Sequence, residues 1–130
     1  MRIGGAGAFA ALMLGGCTAS HVDPGPADAI ELAEALAGRT AGPARRCIDP
    51  GTANGPRVIG ESLAYRAGRT LWVSDAVGGC PSLRGDPITV VEMYGGQLCA
   101  NDRFRTIPRG GAIAGPYCRF GPFIPWVKPS

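Results

Sequence analysis

Five cysteines carry most of the reactive side-chain chemistry of this 130-residue chain. They are Cys17, Cys47, Cys80, Cys99 and Cys118. A thiol can be acylated, oxidised to a disulfide, bound to a metal or used as a nucleophile, and its position in the chain helps to distinguish these uses. Cys17 directly follows an apolar N-terminal run, whereas the other four are spread over the rest of the chain. The two groups therefore predict different chemistry.

The first seventeen residues have the layout of a secretory signal. Arg2 precedes an apolar run from Ile3 to Leu14, and small residues lead to Cys17. The run is shorter than the about 20 apolar residues that a membrane-spanning helix needs. Its Leu14-Gly15-Gly16-Cys17 ending resembles the lipobox of bacterial lipoprotein signal peptides. The resemblance implies that residues 1–16 are removed, that Cys17 is acylated, and that residues 17–26 tether a single domain, 27–130.

Two acyl chains suffice for stable membrane attachment. Thr18 stands where inner-membrane retention usually has Asp, so the resemblance implies an outer-membrane anchor with the domain facing the periplasm. The alternative is an ordinary secretory signal in which Cys17 is incidental. His21, the only histidine, lies in the tether and is expected to be solvated.

An even number of remaining cysteines in an exported chain predicts two disulfides. A zinc site of four thiolates is the alternative, but no Cys-x-x-Cys pair occurs. Three pairings are open. We expect Cys80 to pair with Cys99, its neighbour in sequence, and Cys47 to pair with Cys118, which would join the first and last β segments.

Residues Ala27 to Ala37 predict one amphipathic helix, with Ile30, Ala33 and Ala37 on its apolar stripe and Leu32 and Leu36 beside it. Pro26 suits its first turn and Gly38 its end.

After Gly42-Pro43 the chain consists of short β-like segments separated by Gly and Pro. One predicted hairpin turns at Gly68-Arg69 and places Tyr65 opposite Trp72. A second turns at Gly95-Gly96 and places Cys99 opposite Glu92. The predicted fold is therefore mainly β: a small antiparallel sheet or partly open barrel with two disulfides and one short N-terminal helix.

Four segments resemble an uncharacterised family of small exported bacterial proteins, a domain of unknown function. They are Arg46-Cys47-Ile48, Gly79–Leu83, Gly96–Asp102 and Cys118–Phe123. The resemblance covers about residues 45–125 and implies a disulfide-bonded β fold. It implies no activity, ligand or catalytic residue.

The formal net charge of +3 falls to +2 without Arg2, which is too small to indicate nucleic-acid binding. Basic and aromatic residues gather near the end of the chain and form a candidate surface for a protein or envelope polymer. Its members are Arg103, Arg105, Arg119, Phe123 and Trp126. The alternatives are a solvated strand face for the arginines and core positions for the aromatics.

No hydrolase or phosphate-loop motif occurs, and no metal or cofactor is predicted. The leading hypothesis is a non-catalytic envelope lipoprotein that binds through contacts with a protein or polymer. One alternative is a hydrolase inhibitor that uses the Gly110–Pro116 loop or the Gly78-Gly79 loop. Another is a small acid/base enzyme with a carboxylate pair; its candidates are Asp75, Asp86, Glu92 and Asp102.

Overall fold

The computed structural model describes residues 26–130. The predicted signal, the predicted acylation site Cys17 and His21 of the predicted tether lie outside this range. In the described range, no helix is long and apolar enough to cross a bilayer. One α-helix, ten strands and two short 3-10 helices, Pro50–Thr52 and Pro81–Leu83, form there. The α-helix and strands are α1 Pro26–Leu36, β1 Thr40–Ala41, β2 Cys47–Ile48, β3 Asn54–Ile59, β4 Ser62–Ala67, β5 Thr70–Asp75, β6 Ile88–Val91, β7 Leu98–Cys99, β8 Arg103–Ile107, β9 Cys118–Arg119 and β10 Ile124–Val127.

The largest sheet has five antiparallel strands in the order β1-β10-β5-β4-β3. Its central hairpin confirms the first predicted one: β4 and β5 turn at Gly68-Arg69, and Tyr65 lies opposite Trp72. Local alternation and a two-residue turn are enough to set this register.

The second predicted hairpin is wrong. β6 pairs with β8, in a three-stranded sheet of order β6-β8-β9, while β7 pairs with β2. Cys99 therefore lies opposite Cys47 and not opposite Glu92. The reason is burial: Leu98 is fully buried beside Ile48 in the core, and a local hairpin at Gly95-Gly96 would not provide this contact.

The structure has two disulfides, as predicted, but the cysteines pair differently. Cys47 bonds to Cys99 and Cys80 bonds to Cys118. The expected pairs, Cys80–Cys99 and Cys47–Cys118, are wrong because they assumed that proximity in sequence brings Cys80 to Cys99. In the structure β7 crosses to β2, and β9 brings Cys118 to the buried Cys80.

The sheets together form a barrel that does not close. β9 leads into β10, and a bridge between Ala76 and Phe120 joins the end of β5 to β9. The order is thus β3-β4-β5 in the first sheet and, across this bridge, β9-β8-β6 in the second, while β10 and β1 continue the first sheet beyond β5. β3 and β6 are the last strands at the two ends, and they do not pair with each other. The gap between β3 and β6 is called the seam below.

The main core lies inside this open barrel. Its fully buried members include Leu83, Leu98, Phe104, Phe120 and Phe123. The rings of Phe120 and Phe123 stack with centroids 5.6 Å apart.

A smaller cluster under α1 contains Ile59, Ala64, Leu71 and Val73, packed against Leu32, Ala35, Leu36 and Trp126. The predicted helix is confirmed, but its apolar stripe is not: Ile30 is 58% exposed. The side chains that cover the sheet are Leu32, Ala35 and Leu36. The turn between β3 and β4 contacts the backbone of Asp28 in α1, and this contact sets which side of the helix faces the sheet.

Candidate functional site

The outer face of β8 positions the candidate site. β8 alternates regularly, so Phe104 and Thr106 point into the core while Arg103 and Arg105 point away from it. Arg119 lies opposite Arg103 on β9, and Val90 lies opposite Arg105 on β6. The backbone amide of Glu92 donates to the Arg103 carbonyl at 2.9 Å, which extends the ladder beyond β6. The sheet thus gathers a carboxylate and three guanidinium groups on one face.

Glu92 is the centre of a hydrogen-bond network on this face. Its Oε1 accepts from the Tyr117 hydroxyl at 2.8 Å, and its Oε2 accepts from Arg103 Nη2 at 3.1 Å. Arg103 Nη2 also donates to the Tyr94 hydroxyl oxygen at 3.0 Å. One carboxylate therefore fixes the positions of Arg103 and Tyr117, and Arg103 in turn holds Tyr94.

Stacking reinforces the network. The Tyr117 ring has Arg103 Cζ at 4.8 Å and Arg105 Cζ at 5.1 Å from its centroid, within the range of cation–π attraction. Tyr94 is 71% exposed and Tyr117 is 47% exposed, so the two rings remain accessible to a partner. We call Glu92, Tyr94, Arg103, Arg105 and Tyr117 the Tyr–Arg surface.

The hydrogen bonds and charges of this surface favour the ionised forms of Glu92 and Arg103. The Tyr117 hydrogen bond, with smaller contributions from the Arg103 and Arg105 charges, lowers the pKa of Glu92 below its ordinary value despite some desolvation. The hydrogen bond to Tyr94 and the charge interaction with the same residue, followed by the charge of Glu92, raise the pKa of Arg103. Among the described residues, Arg105 and Arg119 form no ion pair with a carboxylate. The face thus carries excess positive charge.

The structure brings together only part of the predicted candidate surface. Arg103, Arg105 and Arg119 share one face, as the alternation of β8 and β9 requires. Phe123 is not part of it: it is fully buried and its ring meets that of Tyr65 edge-on, with centroids 6.4 Å apart. Trp126 packs with the cluster under α1. The prediction that these two aromatics form a surface with the arginines is wrong, because the proline-containing tail forms β10 and packs them against the sheet.

Sequence reasoning missed Tyr94 and Tyr117. Tyr117 stands two residues before Arg119, and period-two alternation would have placed it on the same face. Tyr94 lies in the irregular segment after β6, where no periodic pattern applies.

The four candidate carboxylates have separate partners. Asp75 accepts from the Ser62 hydroxyl, and Asp86 forms an ion pair with Arg109 at 3.2 Å. Asp102 accepts from the Cys99 amide at 2.8 Å, a bond within its own turn. Glu92 belongs to the Tyr–Arg surface. In residues 26–130, no group of three or more His, Cys, Asp or Glu side chains is arranged to hold a metal ion.

The two candidate inhibitory loops differ in shape. Ile113, in the loop between β8 and β9, is 85% exposed. Backbone bonds tie this loop at both ends, from Gly111 to Pro108 at 2.8 Å and from Gly115 to Thr106 at 2.7 Å. The Gly78-Gly79 loop is a tight turn in which the Gly79 amide donates to Ala76 at 3.0 Å.

Comparisons with protein families, with curated proteins and with solved structures find no match to this chain.

Proposed function

We propose that this chain is a non-catalytic binding module of the bacterial cell envelope, held at the outer membrane through acylated Cys17, that binds an acidic protein partner through the Tyr–Arg surface. The observation that carries the proposal is the stacking of Arg103 and Arg105 on one half-exposed tyrosine, beside a second tyrosine that is largely exposed. Tyr and Arg are, with Trp, the residues enriched among energetically dominant interface positions.

Preorganisation supports this proposal. Long side chains lose about 0.5–1.5 kcal/mol each when a complex immobilises them. Here the hydrogen bonds of Glu92 already hold Arg103 and Tyr117, and Arg103 holds Tyr94. Much of this conformational entropy is therefore already lost in the free protein, before a partner binds. A solvated strand face would leave these side chains free.

Charge supports an acidic partner. Arg103 is neutralised by Glu92 at 3.1 Å, whereas Arg105 and Arg119 have no carboxylate partner within residues 26–130. A partner carboxylate can therefore pair with Arg105 without displacing an existing ion pair. Charge complementarity of this kind raises association rates and selects partners.

The test is in-cell photocrosslinking. A benzophenone amino acid placed at Tyr94, with Cys17 intact, should capture one dominant acidic protein, which mass spectrometry identifies. Arg105→Glu should lower that capture at least tenfold. Arg66→Glu makes the same charge change on β4, at an exposed site of the other sheet, and should lower it less than twofold. Capture of glycan or lipid alone, or equal losses in both variants, would contradict a protein partner. Cys17→Ser should separately release the protein from the membrane fraction.

A second candidate function is inhibition of a hydrolase. The observation that favours it is Ile113, which is 85% exposed in a loop tied at both ends and followed by disulfide-bonded Cys118. A rigid loop with a protruding apolar residue suits an enzyme's substrate cleft. Stoichiometric inhibition of a purified lysozyme or serine protease, abolished by Ile113→Asp, would support this function. If a tenfold molar excess of the protein leaves every lysozyme and serine protease tested fully active, this function is rejected.

A further inference from the structure

The seam of the open barrel leaves two strand edges unpaired. β3 is the last strand of the five-stranded sheet and β6 is the last of the three-stranded sheet. Both edges line one cleft of about 400 Å³, to which Pro56, Arg57 and Val58 contribute from β3 and Ile88 and Thr89 from β6. This volume lies within the range of small ligand sites.

Register shows which backbone groups of β6 face this cleft. In an antiparallel ladder, successive residues turn their N–H and C=O alternately toward and away from the paired strand. The Thr106 carbonyl accepts from Gly115 at 2.7 Å, so Thr106 faces away from β6. Its register partner Thr89 must then face away from β8. The N–H and C=O of Thr89 therefore point toward the seam.

The same argument applies to β3. The two-residue turn Gly60-Glu61 makes Ile59 and Ser62 a hydrogen-bonded pair, and Arg57 likewise bonds to its partner on β4. Val58, between these residues, turns its N–H and C=O away from β4. Thus Thr89 on one wall and Val58 on the other each direct a backbone N–H donor and a C=O acceptor toward the cleft.

The side chains of the cleft indicate what it would bind. The Thr89 hydroxyl is buried and has no hydrogen-bond partner among the described residues, which marks the wall of β6 as incompletely satisfied. Arg109 is bound to Asp86, whereas Arg57 forms no ion pair among the described residues. An acidic side chain of a ligand would pair with the Arg57 guanidinium, while the ligand's backbone amides would pair with the two strand edges.

We propose that the seam binds an extended segment of a partner protein, three to four residues long, that carries an acidic side chain and pairs as an added strand with Thr89 of β6 and Val58 of β3. Pro56 and Pro87 stand near the ends of the two free edges and lack N–H groups, so they limit how much backbone a guest can pair with. This explains why the segment is short. The inference does not depend on the Tyr–Arg surface, which occupies the outer face of the sheet.

The binding test uses the full chain with its disulfides oxidised and a phage-displayed library of random twelve-residue peptides. Selected peptides should contain an acidic residue among β-branched residues. NMR spectra with the best synthetic peptide should show slowed hydrogen exchange at the Thr89 and Val58 amides. Failure to select any peptide, or protection confined to other amides, would overturn the proposal.

Substitutions make the test specific. Thr89→Pro removes the outward N–H and leaves the bonds to β8 in place, and it should weaken peptide binding at least tenfold. Ala41→Pro is the matched control: Ala41 faces outward from β1, since Gly42 bonds to Pro125 on β10, and binding should change less than twofold. Arg57→Glu should weaken binding tenfold and favour a peptide with Lys in place of the acid. Equal binding to Thr89→Pro and the wild type would overturn the proposal.

A ligand-side control does not depend on the folding of any variant. The selected peptide is synthesised with N-methyl groups on alternate amides, in two complementary sets. One set carries methyl groups on the amides that face β6 and the other on the amides that face β3, so each set should weaken binding at least tenfold. Methyl groups placed outside the paired segment should leave binding unchanged. Unchanged binding of either set, or equal loss when the methyl groups lie outside the paired segment, would refute pairing with both strands.

Discussion

The contact between α1 and the β3–β4 turn can be tested by adding a single methyl group. Gly60 lies in this turn with φ +61, and a Cβ there would meet the carbonyl oxygen of Asp28 at 2.5 Å. The Gly60 amide also donates to Glu31 Oε2 at 3.1 Å. Gly60→Ala should therefore both strain the turn and push α1 away from the sheet.

Two contributions set the magnitude. Alanine in the left-handed region costs about 1 kcal/mol. Because Cβ contacts under 3.0 Å are essentially never found, α1 must also move by at least about 0.5 Å. That movement loosens Leu32 and Leu36, for each of which full burial contributes about 1.5–3 kcal/mol. Losing part of this burial adds about 1–2 kcal/mol, so Gly60→Ala should lower the free energy of unfolding by about 2–3 kcal/mol.

Gly68 provides a control with matched backbone geometry. Its φ is +58, and an added Cβ would meet no atom within 4 Å. Gly68→Ala should therefore cost only the backbone contribution of about 1 kcal/mol. Urea unfolding at 25 °C with intact disulfides measures both variants, and hydrogen exchange should be faster in α1 only for Gly60→Ala. Equal losses of stability, or unchanged exchange in α1, would refute the packing of α1 on this turn.

Three further predictions concern the disulfides and the titrating groups. After trypsin digestion without reduction, mass spectrometry should find the peptide containing Cys47 joined to the one containing Cys99. A Cys47 peptide joined to any other cysteine peptide would contradict the fold. Tyr117→Phe should raise the pKa of Glu92 in an NMR titration, since that hydroxyl is the largest cause of the lowered value; an unchanged pKa would contradict the network. Burial raises the pKa of Tyr65 to about 12. The unfolded chain loses this proton near pH 10, so stability should fall as pH rises from about 10 to about 12, as denaturant midpoints will show.

Local signals in the sequence predict local structure well. The β4–β5 hairpin could be predicted because its turn and its alternating side chains are adjacent in the chain. The pairing of β7 with β2 could not, since it depends on burying Leu98 next to Ile48, about fifty residues away in the chain. The disulfide pairing follows from that non-local contact, and the error in one led to the error in the other.

The candidate site shows the same division. Arg103 and Arg105 could be assigned to one face because alternation along a strand is a local property. Phe123 could not be assigned to the core, because prolines at positions 122 and 125 made the tail resemble an exposed extended segment. Its burial depends on the rings of Tyr65 and Phe120, which only the assembled barrel brings to it.

The two proposed binding regions meet at β6. A strand added at the seam would extend the sheet whose outer face carries the Tyr–Arg surface, next to Val90 and the half-exposed Ile88. If one partner occupies both regions, Arg105→Glu and Thr89→Pro should affect its binding non-additively, because each loss would change how the remaining contacts are made. Additive effects on one partner would mean that the regions bind independently. Effects on two different partners would mean that the fold serves two functions, with β6 as their shared support.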